Sequence, residues 1–233
     1  VGLSLAKRYA DTEMEVILLA RRAEHIRKSV FSQHENVYAY SVNLASIEST
    51  REIIDQVLAN HGRIDYLINC AGILTQKQLS EIELEELEYS INLNALSPLL
   101  IIQKLLPKMK ENNFGRIINV TSGAPLNCFP GVGAYSSSKA MLNALTVTLA
   151  KEYSESNIKI NLMSPGPVRS EMSPNAELLP EICHPTADYL LNLDASGPTG
   201  GFFWLGYKVP LFPDLAGVDW LNGIGNEKLE KIL

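Results

Sequence analysis

At 233 residues, with 46% hydrophobic and 20% charged residues, the chain has the make-up of one large soluble domain with a well-buried core. A net charge of −6 argues against a nucleic-acid partner, whose affinity would come largely from Lys and Arg on phosphates, yet a few local arginines can still hold a small anion. Three dispersed cysteines (Cys70, Cys128, Cys183) and four dispersed histidines lack metal-ligand spacing, so no metal is expected and free thiols in a reducing, cytoplasmic setting are the simplest account. Short β-rich apolar runs then alternate with longer helical ones. Leu3–Tyr9 reads as a helix, Glu15–Leu19 as a strand, Arg22–Phe31 as a helix and Val37–Tyr40 as a strand. Ser46 caps a helix to Asn60, with Ile47, Ile53, Ile54, Val57 and Leu58 at helical spacing. The strand Tyr66–Cys70, the helix Glu83–Lys110, the strand Arg116–Val120, the helix Tyr135–Tyr153 and the strand Lys159–Met163 follow.

This rhythm predicts βαβ units and an α/β fold: a doubly wound, Rossmann-like parallel sheet covered on both faces. Residues 1–233 read as a single domain, without repeat or charged linker. Ser164–Pro185 holds five prolines and reads as a loop with one short helix; the segment from about 167 to 193 is the expected substrate loop. Gly200–Leu205 is a candidate final strand, and the tail from about 207 to 233 carries Trp220 and a short charged helix. No apolar run reaches the roughly 18 residues that cross a bilayer, so no membrane partner is expected.

The chemistry concentrates around Tyr135-Ser136-Ser137-Ser138-Lys139 at the start of an apolar helix. Residues four apart share a helix face, so phenol and ammonium project into the same space. A nearby positive charge favours the phenolate and makes the tyrosine usable as a general acid or base. Alone, the pair favours a partly buried tyrosine beside a surface lysine. Ser122 follows the strand Arg116–Val120, where doubly wound sheets bind ligands, although a turn serine before glycine is common. Asn69-Cys70-Ala71-Gly72 ends another strand with small residues, and Pro165-Gly166-Pro167-Val168 follows a third.

In order and spacing these motifs resemble the short-chain dehydrogenase/reductase family from Val1 to about Met172. Asn69-Cys70-Ala71-Gly72 stands for the family's Asn-Asn-Ala-Gly, Asn92 for its helix asparagine, Ser122 for its serine, Tyr135 and Lys139 for its Tyr-x-x-x-Lys, and Pro165-Gly166 for its Pro-Gly. The resemblance implies that Tyr135 protonates a carbonyl oxygen, or deprotonates the alcohol in reverse. It implies that Lys139 lowers the tyrosine pKa and bonds the nicotinamide ribose, that Ser122 holds the substrate oxygen, and that Asn92 positions a water beside Lys139. Asn69, Ala71, Gly72, Pro165, Gly166 and Val168 would border the cofactor. Asn43-Leu44 replaces the family's Asp-apolar pair near the adenine.

NAD-using folds of this type place an acid at the end of the second strand. Here Ala20 is followed by Arg21 and Arg22, whose guanidinium groups suit a 2′-phosphate, so NADP(H) is expected in preference to NAD(H). Val1-Gly2 reads as the end of a glycine-rich turn, with Gly2 its last glycine. The first strand, central in the doubly wound order, is therefore expected upstream of this sequence. Without it, strands normally about 4.8 Å apart would face a gap of about 10 Å.

The reading is an NADP(H)-dependent enzyme acting on a small carbonyl or alcohol. A catalytically silent nucleotide sensor or scaffold is the alternative, and a nicotinamide-using epimerase or dehydratase is disfavoured because little chain remains to bind a sugar nucleotide. Apolar residues around much of the helices Glu83–Lys110 and Tyr135–Tyr153 predict a homodimer or homotetramer. Met172, Leu178, Leu179, Ile182, Tyr189 and Leu190 predict a partly apolar substrate pocket.

Overall fold

A computed structural model describes residues 1–213 together with 215, 217, 218, 221, 226, 227 and 229. The element order is α1 (Gly2–Ala10), β1 (Val16–Ala20), α2 (Ala23–Val30), β2 (Val37–Ser41), α3 (Ile47–His61), β3 (Tyr66–Asn69), α4 (Leu84–Ile91), α5 (Ser97–Glu111) and β4 (Gly115–Val120). Then come α6 (Ala124–Asn127), α7 (Gly133–Glu152), β5 (Ile158–Ser164), α8 (His184–Leu191), β6 (Phe202–Trp204) and β7 (Tyr207–Val209).

Each predicted strand and helix of the first 163 residues is present, displaced by a residue or two at its ends, where assignment is least determined. Ser46 does cap α3, its hydroxyl accepting from the Ser49 N–H at 3.2 Å. The predicted helix Glu83–Lys110 is instead two α-helices joined by a π-helical turn, Asn92–Leu96. The predicted final strand is β6; the antiparallel return strand β7 was not foreseen, and neither was α6. The expected charged tail helix and Trp220 lie outside the described residues.

The strands form two sheets. β1 and β2 pair in parallel, and a second sheet runs β3-β4-β5-β6-β7, parallel except for β7. Among the described residues no ladder joins β1 to β3. Every residue of β4 and β5 is buried, including the polar Arg116, Asn119, Lys159, Asn161 and Ser164, as in a parallel sheet covered on both faces. Successive side chains on a strand face opposite ways. Ile117 therefore packs with Ile102, Leu105, Ile158 and Ile160 under α3 and α5, while Ile118 packs with Leu5, Met163, Leu190 and Leu191 under α1 and α8. α1 closes over both sheets, since Leu5 lies in that second cluster and Ala6 and Ala10 meet Phe31 and Val37. Among the described residues no helix is long and apolar enough to cross a membrane.

Candidate active site

The strand ends of the larger sheet bring the motif residues together. Ser122 follows β4; its oxygen accepts from the Ala124 N–H at 3.1 Å, and its hydroxyl lies close enough to the Tyr135 phenol, on the first turn of α7, to act on its pKa. Lys139, one turn along α7, is buried, and its Nζ donates to the Val120 carbonyl at 2.8 Å. Burial brings the ammonium down from its ordinary 10.5 to about 8. The phenol moves the other way: burial raises the Tyr135 pKa, and the Ser122 hydroxyl only partly opposes it. In this geometry the Lys139 ammonium donates to a backbone carbonyl, and burial is the largest influence on the phenol.

Asn92 and Asn94 exchange places relative to the sequence reading. Asn92 opens the π-helical turn and is half-buried. Asn94, fully buried, is the residue that reaches the site. Its Oδ1 accepts from the Ile73 N–H, and its Nδ2 donates to the Ile73 carbonyl and to Ser138 Oγ, each at 2.9 Å. Ser138 donates in turn to the Tyr135 carbonyl at 2.8 Å. Asn94 thus fastens the loop after β3 to the turn of α7 that carries Tyr135 and Lys139. Gly72 lies against the same group: a Cβ there would stand 3.0 Å from Asn94 Oδ1 and 3.6 Å from Lys139 Nζ.

The remaining predicted residues divide. Ala71, Arg21, Arg22 and Asn43 are exposed at strand ends, open to a ligand. Asn43 Oδ1 accepts from the Ala45 N–H, forming a turn at the end of β2. Gly166 follows β5 with φ +70°, and a Cβ there would meet Trp204 Nε1 at 3.0 Å, so the position requires glycine. Gly2 opens α1 against the Cys70 side chain. Three side chains are turned inward, so these residues could meet a ligand only through their backbone. Asn69 is buried and donates to Asn119 Oδ1 at 2.8 Å, the first link of a chain continued by Asn119 to Thr146 on α7. Leu44 and Val168 belong to the two cores. These three support the loops that a ligand would touch.

Two further groups of contacts had no sequence signal. Arg22, next to α2, donates to Glu171 of the loop after β5 at 2.8 Å. Ser4 on α1 donates to Glu181 Oε1 at 3.0 Å and lies 2.7 Å from His184 Nε2, while Arg8 and Tyr9 bond Asp188 on α8. Such pairs join residues more than 140 apart in sequence, where neither periodicity nor local motif gives warning.

The family model for short chain dehydrogenase matches residues 1–178. The chain belongs to the short-chain dehydrogenase/reductase family. It is 30% identical over 180 residues to an uncharacterized oxidoreductase of Mycobacterium bovis, covering 74% of this chain and 53% of that protein. It is 33% identical over 148 residues to the 3-oxoacyl-(acyl-carrier-protein) reductase of Thermotoga maritima, covering 64% of this chain and 59% of that one. The chain therefore spans between half and three fifths of the length of these relatives. Among solved structures, that of ElxO with NADP bound superposes with a TM-score of 0.78 at 26% identity, covering 88% of this chain and 92% of the other.

Proposed function

We propose that this short-chain dehydrogenase/reductase interconverts a carbonyl and an alcohol with NADP(H), using Tyr135 as acid and base. The observation that carries this is the convergence of the Tyr135 phenol, the Ser122 hydroxyl and the buried Lys139 ammonium at one sheet edge. A raised phenol is a proton donor at neutral pH, as carbonyl reduction requires. Ser122 has its oxygen lone pair engaged by Ala124 and its proton free to be shared between the phenol and a substrate oxygen, where it stabilises developing charge. Asn94, in place of Asn92, holds the loop after β3 beside Lys139.

The residues fit a nicotinamide dinucleotide. Side-chain-free Gly72 allows a ligand to approach Lys139, and the exposed Arg21 and Arg22 are donors for a 2′-phosphate. When bound, the nicotinamide supplies or accepts hydride. Lys139, held by the Val120 carbonyl, has further ammonium protons for ribose hydroxyls. NADP in a 26%-identical structural neighbour supports the same choice. The substrate is an apolar carbonyl or alcohol: Leu126 and Phe129, between Ser122 and Tyr135, and Met172, Leu179 and Ile182 of the following loop present exposed apolar surface. Leu190 packs beneath that loop instead. A homodimer or homotetramer joined through α5 and α7 remains the expected assembly, because Met141, Leu145, Val147 and Leu149 on α7 are only partly buried or packed at the core's margin.

The test is oxidation of NADPH and NADH by the full-length protein over a panel of ketones and quinones, beside Tyr135→Phe. Preferred use of NADPH is expected, with a loss of about 10²- to 10⁴-fold in the variant. Cofactor binding without turnover on any carbonyl would move the reading to a nucleotide sensor.

A further inference from the structure

Glu171 stands at the tip of a turn whose backbone is closed on itself. Val168 and Leu178 form a parallel bridge, and the Arg169 N–H donates to the Leu178 carbonyl at 2.7 Å. Ser170 and Ser173 exchange N–H···O bonds of 3.2 and 3.1 Å, which leaves Glu171 and Met172 projecting between them. The Glu171 carboxylate accepts from Arg22 at 2.8 Å, with both side chains largely in solvent. That hydrogen bond, then the charges of Arg22 and Arg21, hold the carboxyl below the ordinary carboxylate range. One acid of the loop after β5 thus faces both arginines that follow β1.

β1 and β5 belong to different sheets, and Arg22 and Glu171 lie beyond their carboxyl ends. A crevice outside the carboxyl ends of parallel strands is where doubly wound sheets hold dinucleotides. The ion pair joins the loops that follow these two strands. We infer that Glu171 is a cofactor-specificity residue: its carboxylate competes with a 2′-phosphate for Arg22, so that seating the phosphate releases the tip of the loop. A dinucleotide with a free 2′-hydroxyl leaves the Arg22–Glu171 pair intact. The inference rests on the NADP(H) reading above and extends it to the loop that would cover the substrate. A phosphate near Arg22 carries more charge than a carboxylate and repels Glu171, whereas a hydroxyl does neither. Because exposed ion pairs are weak and screened by salt, the competition is reversible and shrinks as ionic strength rises.

The experiment titrates adenosine 2′,5′-bisphosphate and adenosine 5′-monophosphate into the full-length protein by calorimetry at low salt. Wild type is compared with Glu171→Gln, Arg22→Ala, Arg21→Ala and the Glu171→Gln/Arg22→Ala double variant. Glu171→Gln is expected to tighten the bisphosphate roughly two- to fivefold, to leave the monophosphate unchanged, and to have no effect once Arg22 is alanine. Amide exchange in residues 168–178 should quicken with the bisphosphate and not with the monophosphate. If Arg22→Ala weakens the bisphosphate while Glu171→Gln leaves it unchanged or weaker, or if exchange is equal with both ligands, competition is overturned and NADP(H) binding stands. If neither Arg22→Ala nor Arg21→Ala affects the bisphosphate, the NADP(H) reading itself fails.

Discussion

Lys139 carries a charge into a place where charge is expensive. Its side chain is buried, its Nζ has the Val120 carbonyl for a partner, and burial brings its pKa to about 8. The sign of the consequence follows from proton counts. Between pH 8 and 10.5 the unfolded chain keeps the proton that the folded one has lost, so wild-type stability rises with pH across that window. Lys139→Met removes the titration. The variant should be the more stable protein at pH 7, and its lead should shrink by up to roughly 3 kcal/mol as pH approaches 10.5, measured by urea unfolding; a lead independent of pH would refute the account. That a catalytic candidate is destabilising suits a site organised for chemistry. Asn94 is the opposite case, a buried amide with both its oxygen and nitrogen engaged. Asn94→Ala leaves the Ile73 N–H and carbonyl without their partner, takes away the donor to Ser138 Oγ, and should lower stability by about 1–3 kcal/mol, whereas Asn92→Ala should change it little. Equal losses from the two would return the role to Asn92.

At the scale of elements, β4 is fixed by an unusual residue for a buried strand. Arg116 is fully buried and answers carbonyls rather than a carboxylate: Nε and Nη2 reach Leu193, Nη1 reaches Gly115 and Asn157, and Nη2 also reaches Asn157 Oδ1. Its guanidinium lies 4.4 Å from the centre of the Phe114 ring. The residue thus ties the start of β4 to the segment after α8 and to the entry of β5. Lysine has the charge but lacks the planar fork. Arg116→Lys should therefore recover little of the loss of about 3 kcal/mol or more expected for Arg116→Ala in denaturant unfolding, and full recovery would mean that charge alone matters. α1 and α8 are joined in a similar way by Ser4 with Glu181 and His184 and by Arg8 and Tyr9 with Asp188, which steadies the end of the loop that carries Glu171.

Across the whole molecule, protection should follow the sheets. β4 and β5 are buried along their full length and paired on both sides, while β1 and β2 form a two-stranded sheet with partly exposed residues. A two-stranded sheet depends on its packing, here against α1 and α2. Native-state hydrogen exchange should show the slowest amides in β4 and β5 and distinctly faster ones in β1 and β2. Uniform protection across both sheets would show that they open as one cooperative unit.

The alternation of apolar strands with amphipathic helices was legible without coordinates, because a βαβ unit writes its period directly into the chain. So were Ser122, Tyr135 and Lys139, whose spacing within one strand–helix unit is local, and the family they indicate. The choice between Asn92 and Asn94 was not legible. A π-helical turn inserts an extra residue into one turn of helix, which rotates the faces and defeats the 3.6-residue count. Nor did a motif reveal that Asn69, Leu44 and Val168 turn inward, since a loop residue's side chain is aimed by the packing of its neighbours. The direction of the Tyr135 shift depends on burial, and the Arg22–Glu171 pair on two strand ends far apart in sequence. Sequence by itself determined the layered fold and the meeting of Ser122, Tyr135 and Lys139 at one sheet edge, because both rest on short-range spacing. Tertiary structure alone decided which polar groups meet across that fold, because those contacts are made by chain segments that sequence order leaves apart.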